Sequence, residues 1–78
     1  LVAAYIEHRR EREAQLLAAL QAGLRRISDV VEAVYKDVPS YLHPAAARSI
    51  FAHILDLYTQ GRVYTDGTPT LDSDYYTK

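Results

Sequence analysis

Between Leu42 and Tyr64 the chain spells out one long amphipathic helix that stops at a glycine and passes directly into an extended segment. His43-Pro44 opens the helix, where the fixed φ of proline suits the first turn. Ala47, Ile50, Phe51, Ile54, Leu57 and Tyr58 then recur at steps of three and one, the mark of a single buried face. Gly61 stands where a left-handed C-terminal cap is required. Val63-Tyr64 begins an extended run aimed at Asp66-Gly67, a hairpin-turn pair. Two shorter helical patterns come before this unit. Helix, helix, capped long helix and two-stranded ribbon is the chain order of a winged helix-turn-helix. The sequence therefore predicts a mainly α domain of three helices with a small two- to three-stranded β-wing. Many winged helices bind no DNA, so this order leaves the function open.

Seventy-eight residues make one domain, near the lower size for a self-sufficient core. A hydrophobic content of 49% excludes a disordered segment. Cysteine is absent, so no disulfide framework is expected and a reducing compartment is the default. An intracellular location, cytoplasmic or mitochondrial, is the expectation. No apolar run approaches the roughly 18 residues of a membrane span, and no membrane partner is expected. The chain opens on Leu1 and contains no methionine, which predicts a piece of a longer protein.

The net charge is −1, but the charges are unevenly spread. Residues 1–26 carry five arginines against three glutamates, while the long helix sets only Arg48 against Asp56 and the wing leans acidic. A nucleic-acid reader concentrates positive charge on those last two elements.

The first helix is expected from the start of the chain to about Ala22. Its apolar residues form two clusters, Val2, Tyr5 and Ile6, then Leu16, Leu17 and Leu20. The stretch between them, His8-Arg9-Arg10-Glu11-Arg12-Glu13, is wholly polar. A helix with no apolar stripe in its middle is typically solvent-bridging and supported by ion pairs, here Glu7 with Arg10 and Arg9 with Glu13. The second cluster fits the domain's own core; the first needs another partner, and a preceding domain supplies it. Residues 1–13 are thus read as a bridging segment and residues 65–78 as wing and tail. Gly23 is read as the cap of the first helix, Leu24 to Ile27 as a short strand, and Ser28 as the N-cap of a second helix. Val30, Val31, Val34 and Tyr35 give that helix its buried face, and Pro39 ends the segment.

The order of these residues resembles the winged-helix domain appended C-terminally to metallo-β-lactamase-fold hydrolases. The resemblance runs from about Tyr5 to Tyr64. It begins with Tyr5-Ile6-x-His8-Arg9-x-x-Arg12-Glu13-x-Gln15-x-Leu17, continues through Val34-Tyr35-x-Asp37-Val38-Pro39 and Leu42-His43, and closes on His53-x-x-x-Leu57 with Gly61-Arg62-Val63. It implies a parent enzyme whose dinuclear zinc site lies on another, N-terminal domain. Parents in this family include RNA-cleaving hydrolases and, in fungi, thioesterases acting on carrier-bound polyketides. Two departures weaken any electrostatic hold on RNA. Asp56 stands where the family usually has lysine, and Tyr58-Thr59-Gln60 replaces a commonly charged stretch.

Chemistry by this segment alone is not expected. His8, His43 and His53 share no metal-binding spacing and there is no thiol, so no cofactor is expected here and zinc only in the parent. The serines have no histidine and acid at a recognisable spacing, and the glycines are isolated. His43 is read as a helix-entry residue, and His53 as a helix-face residue bonded locally. Opposite the long helix's apolar stripe lie Arg48, Ser49, Ala52, His53, Asp56 and Gln60, with Asp56 set against phosphate. Specific DNA binding is not expected. Weak RNA contact would fall to Arg10, Arg25, Arg26 and Arg48, and with them Arg9 and Arg12; the preferred reading of the arginines of residues 1–26 is a solvated helix face with inter-domain salt bridges. Seven tyrosines are many for this length. Tyr35 and Tyr58 are expected to bury their rings locally. Tyr5, and with it Tyr75 or Tyr76, would dock onto a neighbouring domain.

The expectation is therefore a non-catalytic accessory domain of a zinc-dependent metallo-β-lactamase-fold hydrolase, bracing the catalytic domain and bordering its substrate approach. Its interface would be Val2, Tyr5, Ile6, Arg9 and Arg12. The alternative is a free-standing nucleic-acid-binding winged helix of the transcription-factor type.

Overall fold

The computed structural model describes the backbone of residues 2–77 and the side chains of residues 8–77. Three helices, α1 (Val2–Gln21), α2 (Ile27–Val34) and α3 (His43–Thr59), are followed by two short strands, β1 (Val63–Tyr64) and β2 (Tyr76–Thr77). A 3-10 turn over Ser40–Leu42 leads into α3. The strands pair antiparallel, Val63 with Thr77 and Tyr64 with Tyr76. This is a winged helix.

The three helices and β1 contribute to one core. Leu16, Ala19 and Leu20 of α1 meet Ile27, Val30 and Val31 of α2 and Ala46, Ile50, Ile54 and Leu57 of α3. Val63 and Tyr75 close it from the wing side. Residues 46, 50, 54 and 57 return to one helical face at steps of four and three. Ala47, Phe51 and Tyr58 lie roughly a quarter-turn away on its flank. Ala47 and Phe51 are half-buried there, and Tyr58 is 40% exposed. Its place on the apolar stripe did not bury Tyr58, because the stripe is narrower than the six apolar positions implied.

Both predicted glycine caps form, and in the same way. Gly23 (φ +107°) donates to Leu20 O at 3.1 Å, and Leu24 N–H reaches Ala19 O at 3.2 Å. Gly61 (φ +76°) donates to Tyr58 O at 3.0 Å, and Arg62 N–H reaches Leu57 O at 3.0 Å. This paired pattern satisfies carbonyls that a helix end leaves open.

Three local expectations are corrected. The N-cap of α2 is Arg26, not Ser28, and it makes no side-chain capping bond. Arg26 is extended (φ −98°, ψ 146°) because its backbone bridges Asp74 antiparallel, and the helix starts at Ile27, whose side chain is buried. The strand expected over Leu24–Ile27 is reduced to that bridge. Asp66-Gly67 does not close a two-residue hairpin either. Gly67 is left-handed (φ +77°), but the partner strand arrives only at Tyr76.

The segment between the strands is ordered by its own hydroxyls. Thr70 N–H donates to Ser73 Oγ at 3.0 Å, Asp72 N–H to Thr70 Oγ1 at 3.2 Å, and Thr65 Oγ1 to Asp74 O at 2.6 Å. Short hydroxyl side chains that bond neighbouring backbone stabilise turns in this way. The chain is thereby returned toward α1, with Tyr75 placed inward. Tyr75 is fully buried, so it does not dock onto another domain. Burial raises the pKa of its phenol, which donates to Thr70 O.

Arg25 locks this return. Its Nη1 lies 3.1 Å from each of the carbonyl oxygens of Leu20, Leu24 and Tyr75, sharing its protons among them. The guanidinium also lies over the Tyr76 ring, 4.7 Å from its centroid, and that ring stacks on Tyr64 at 5.4 Å. One side chain thus binds the end of α1 to the second wing strand.

Candidate functional site

The polar middle of α1 runs beside the outer side of α3, and a groove of about 320 Å³ opens between them. His8, Arg9 and Arg12 line it from α1, Ser49, Ala52 and His53 from α3, and Tyr35, the C-cap of α2, from below. Positions 9 and 12 share the face of α1 that carries Leu16, so the groove continues the core outward along the same helix face. It is open to solvent where the core is closed, as the residues there change from leucine to arginine.

The Arg12 guanidinium lies over the Tyr35 ring at 4.3 Å and donates to Gln15 Oε1 at 3.0 Å. Stacking and that bond fix its plane, which leaves the remaining N–H groups in a set direction. His53 is half-buried. Burial first, and then the charge of Arg9, hold its pKa below 6.5, with Arg12 adding to this and Glu13 and Asp56 opposing. The shift favours the neutral ring. Among the described residues it makes no hydrogen bond, contrary to the local bond expected of it. Glu13 does not pair with Arg9. It accepts from Arg62 Nη1 at 2.9 Å and so ties α1 to the start of the wing.

The residues singled out from the sequence divide into three groups. Arg9 and Arg12, expected at an interface, come together with His8, Tyr35 and His53, all of which carry the resemblance given above. Val2, Tyr5 and Ile6 have side chains outside those described. Of the RNA candidates, Arg10, Arg26 and Arg48 are exposed, whereas Arg25 is engaged in holding the wing. Sequence reasoning missed the structural roles of Arg25, Tyr75 and the Glu13–Arg62 pair. Their partners lie 49 or 50 positions away, beyond any local pattern.

Among the described residues no three His, Asp or Glu side chains are grouped so as to hold a metal ion. Among the same residues no helix is long and apolar enough to cross a membrane.

The family model for the β-lactamase associated winged helix domain matches residues 27–71, from α2 through most of the wing loop. The chain belongs to this family. A curated relative, the beta-lactamase-like protein 2 homolog of Drosophila melanogaster, is 34% identical over 76 residues, covering 92% of this chain and 25% of that protein. The chain thus spans about a quarter of the relative's length. Covering 92% of this chain, the pairwise similarity takes in most of α1, which the family model leaves out. The winged helix and the α1 that flanks it therefore occur together in a β-lactamase-like protein.

Proposed function

We propose that this winged helix is a non-catalytic accessory domain of a metallo-β-lactamase-fold hydrolase, braced against the catalytic domain through α1 and bordering the substrate's approach. The zinc of such an enzyme would sit in the catalytic domain, and the whole would work inside the cell.

One observation carries this reading. α1 is continuous from Val2 to Gln21, and among its described side chains Leu16, Ala19 and Leu20 are in the core, while His8 to Glu11 are exposed. A polar helical half with so little packing is marginal in water. Apolar Val2, Tyr5 and Ile6 stand beyond it in sequence, where a second body would cover them. The relative's greater length supports the presence of one. Tyr5→Ala with Ile6→Ala in the full-length protein is expected to speed limited proteolysis between the domains several-fold. Cleavage at the unaltered rate would count against the bracing role.

The nucleic-acid-binding alternative has less support. On the outer side of α3, Gln60 Nε2 bonds Asp56 Oδ2 at 3.2 Å, which keeps a carboxylate where phosphate would approach. Asp66 and Asp72 are exposed on the wing. Fluorescence anisotropy at physiological salt is expected to give only weak, sequence-indifferent binding of duplex DNA and of single-stranded RNA, through Arg10, Arg26 and Arg48. Sequence-selective binding with Kd near 10⁻⁸ M or tighter would favour the alternative.

A further inference from the structure

Arg9 and Arg12 stand one turn apart on α1, both lining the groove. Among the described residues neither has a carboxylate within ion-pair distance, since Glu13 is bonded to Arg62 and Glu11 stands 4.0 Å from His8. Like charges three positions apart on a helix repel one another. Across the groove His53 adds a ring whose proton affinity is lowered by burial first and by Arg9 next, and Ser49 lines the same groove. The groove is thus lined by N–H and O–H donors and by no carboxylate, although Glu13 and Asp56 stand near enough to act on His53.

The positive stretch is short. Glu11 flanks it beside His8, and Asp56 lies close enough to His53 to act on its proton. A phosphodiester strand carries a charge at every nucleotide and would run past both acids. A single carboxylate needs only the two arginine forks, which match its two oxygens. Positions 2, 5, 9, 12 and 16 also repeat on one face of α1, at steps of three and four. A body that covers the first turns of that face reaches the mouth of the groove next.

We propose that the groove between α1 and α3 seats one aspartate or glutamate side chain of the domain against which α1 packs. The carboxylate oxygens accept from Arg9 and Arg12, with the His53 N–H and the Ser49 hydroxyl at hand as further donors. This inference rests on the accessory-domain reading and specifies the chemistry of its interface.

His53 reports the seat directly. Covering the groove with neutral or apolar groups would desolvate His53 further and lower its proton affinity, whereas a carboxylate beside it raises that affinity. The imidazole is followed by NMR titration in the 78-residue chain and in the full-length protein, its signal identified by loss in His53→Gln. Hydrogen exchange of residues 2–6 is read on the same samples. The expected result is a proton affinity about tenfold higher in the full-length protein, one unit of pKa, together with slowed exchange. Slowed exchange with an unchanged or lower affinity would overturn the carboxylate seat and leave the bracing reading standing. Exchange that is not slowed would remove both. A shift produced instead by adding a single-stranded RNA oligonucleotide to the 78-residue chain would overturn the seat in favour of phosphate.

Discussion

Leu57→Ala is expected to destabilise the 78-residue chain by about 2–5 kcal/mol, the range for deleting a buried leucine side chain when the site cannot fully collapse. Leu57 is fully buried, and its carbonyl also accepts the Arg62 N–H that closes the α3 cap. The loss is a large fraction of what a domain of this size can hold in reserve. Urea melts provide the measurement, with Leu55→Ala as the companion. Leu55 is 39% exposed two residues earlier on the same helix, and its truncation should cost about 0.5 kcal/mol. Equal costs at the two positions would mean that the face assignment of α3 is wrong.

Tyr75→Ala is expected to be as damaging, about 3–5 kcal/mol, because it empties the space of a fully buried aromatic ring. The same change frees the segment on which Arg25 and the Arg26–Asp74 bridge act. Tyr75→Phe keeps the ring and removes only the bond to Thr70 O, at a cost of about 1 kcal/mol. Thermal unfolding should therefore rank wild type, Tyr75→Phe and Tyr75→Ala in that order, with a wide gap before the last. A Tyr75→Ala variant that melts with the wild type would show that the turn of chain leading into β2 is not part of the core.

The contrast between these two residues shows what a sequence of this kind discloses. Leu57 was legible because its neighbours in the core, Ile50 and Ile54, lie on the same helix and repeat at helical steps. The two glycine caps were legible for a similar reason, as each marks the end of a periodic run. Tyr75 was not, since what buries it is a return of the chain organised by Thr70 and Ser73 and locked by an arginine 50 positions earlier. Ser28 misled because capping preference is local, whereas the start of α2 is set by pairing of Arg26 with Asp74. Tyr58 misled because an apolar position at the edge of a stripe is buried only if a neighbour reaches it. The groove lies between these cases. Its residues stood out within the motifs that carry the resemblance, but their convergence depends on how α1 lies beside α3, which no spacing along the chain encodes.

The same division runs through the functional reading. An accessory winged helix could be read from the order of elements and their family likeness, but the state of the first turns of α1 could not. Amide hydrogen exchange along residues 2–13, compared between the 78-residue chain and the full-length protein, tests the bridging role most directly. In the isolated chain these amides should exchange orders of magnitude faster than those of residues 16–20, whose side chains reach the core. In the full-length protein the two halves of α1 should be protected to a similar degree. Protection of residues 2–13 that is already strong in the isolated chain, or still absent in the full-length protein, would contradict the account.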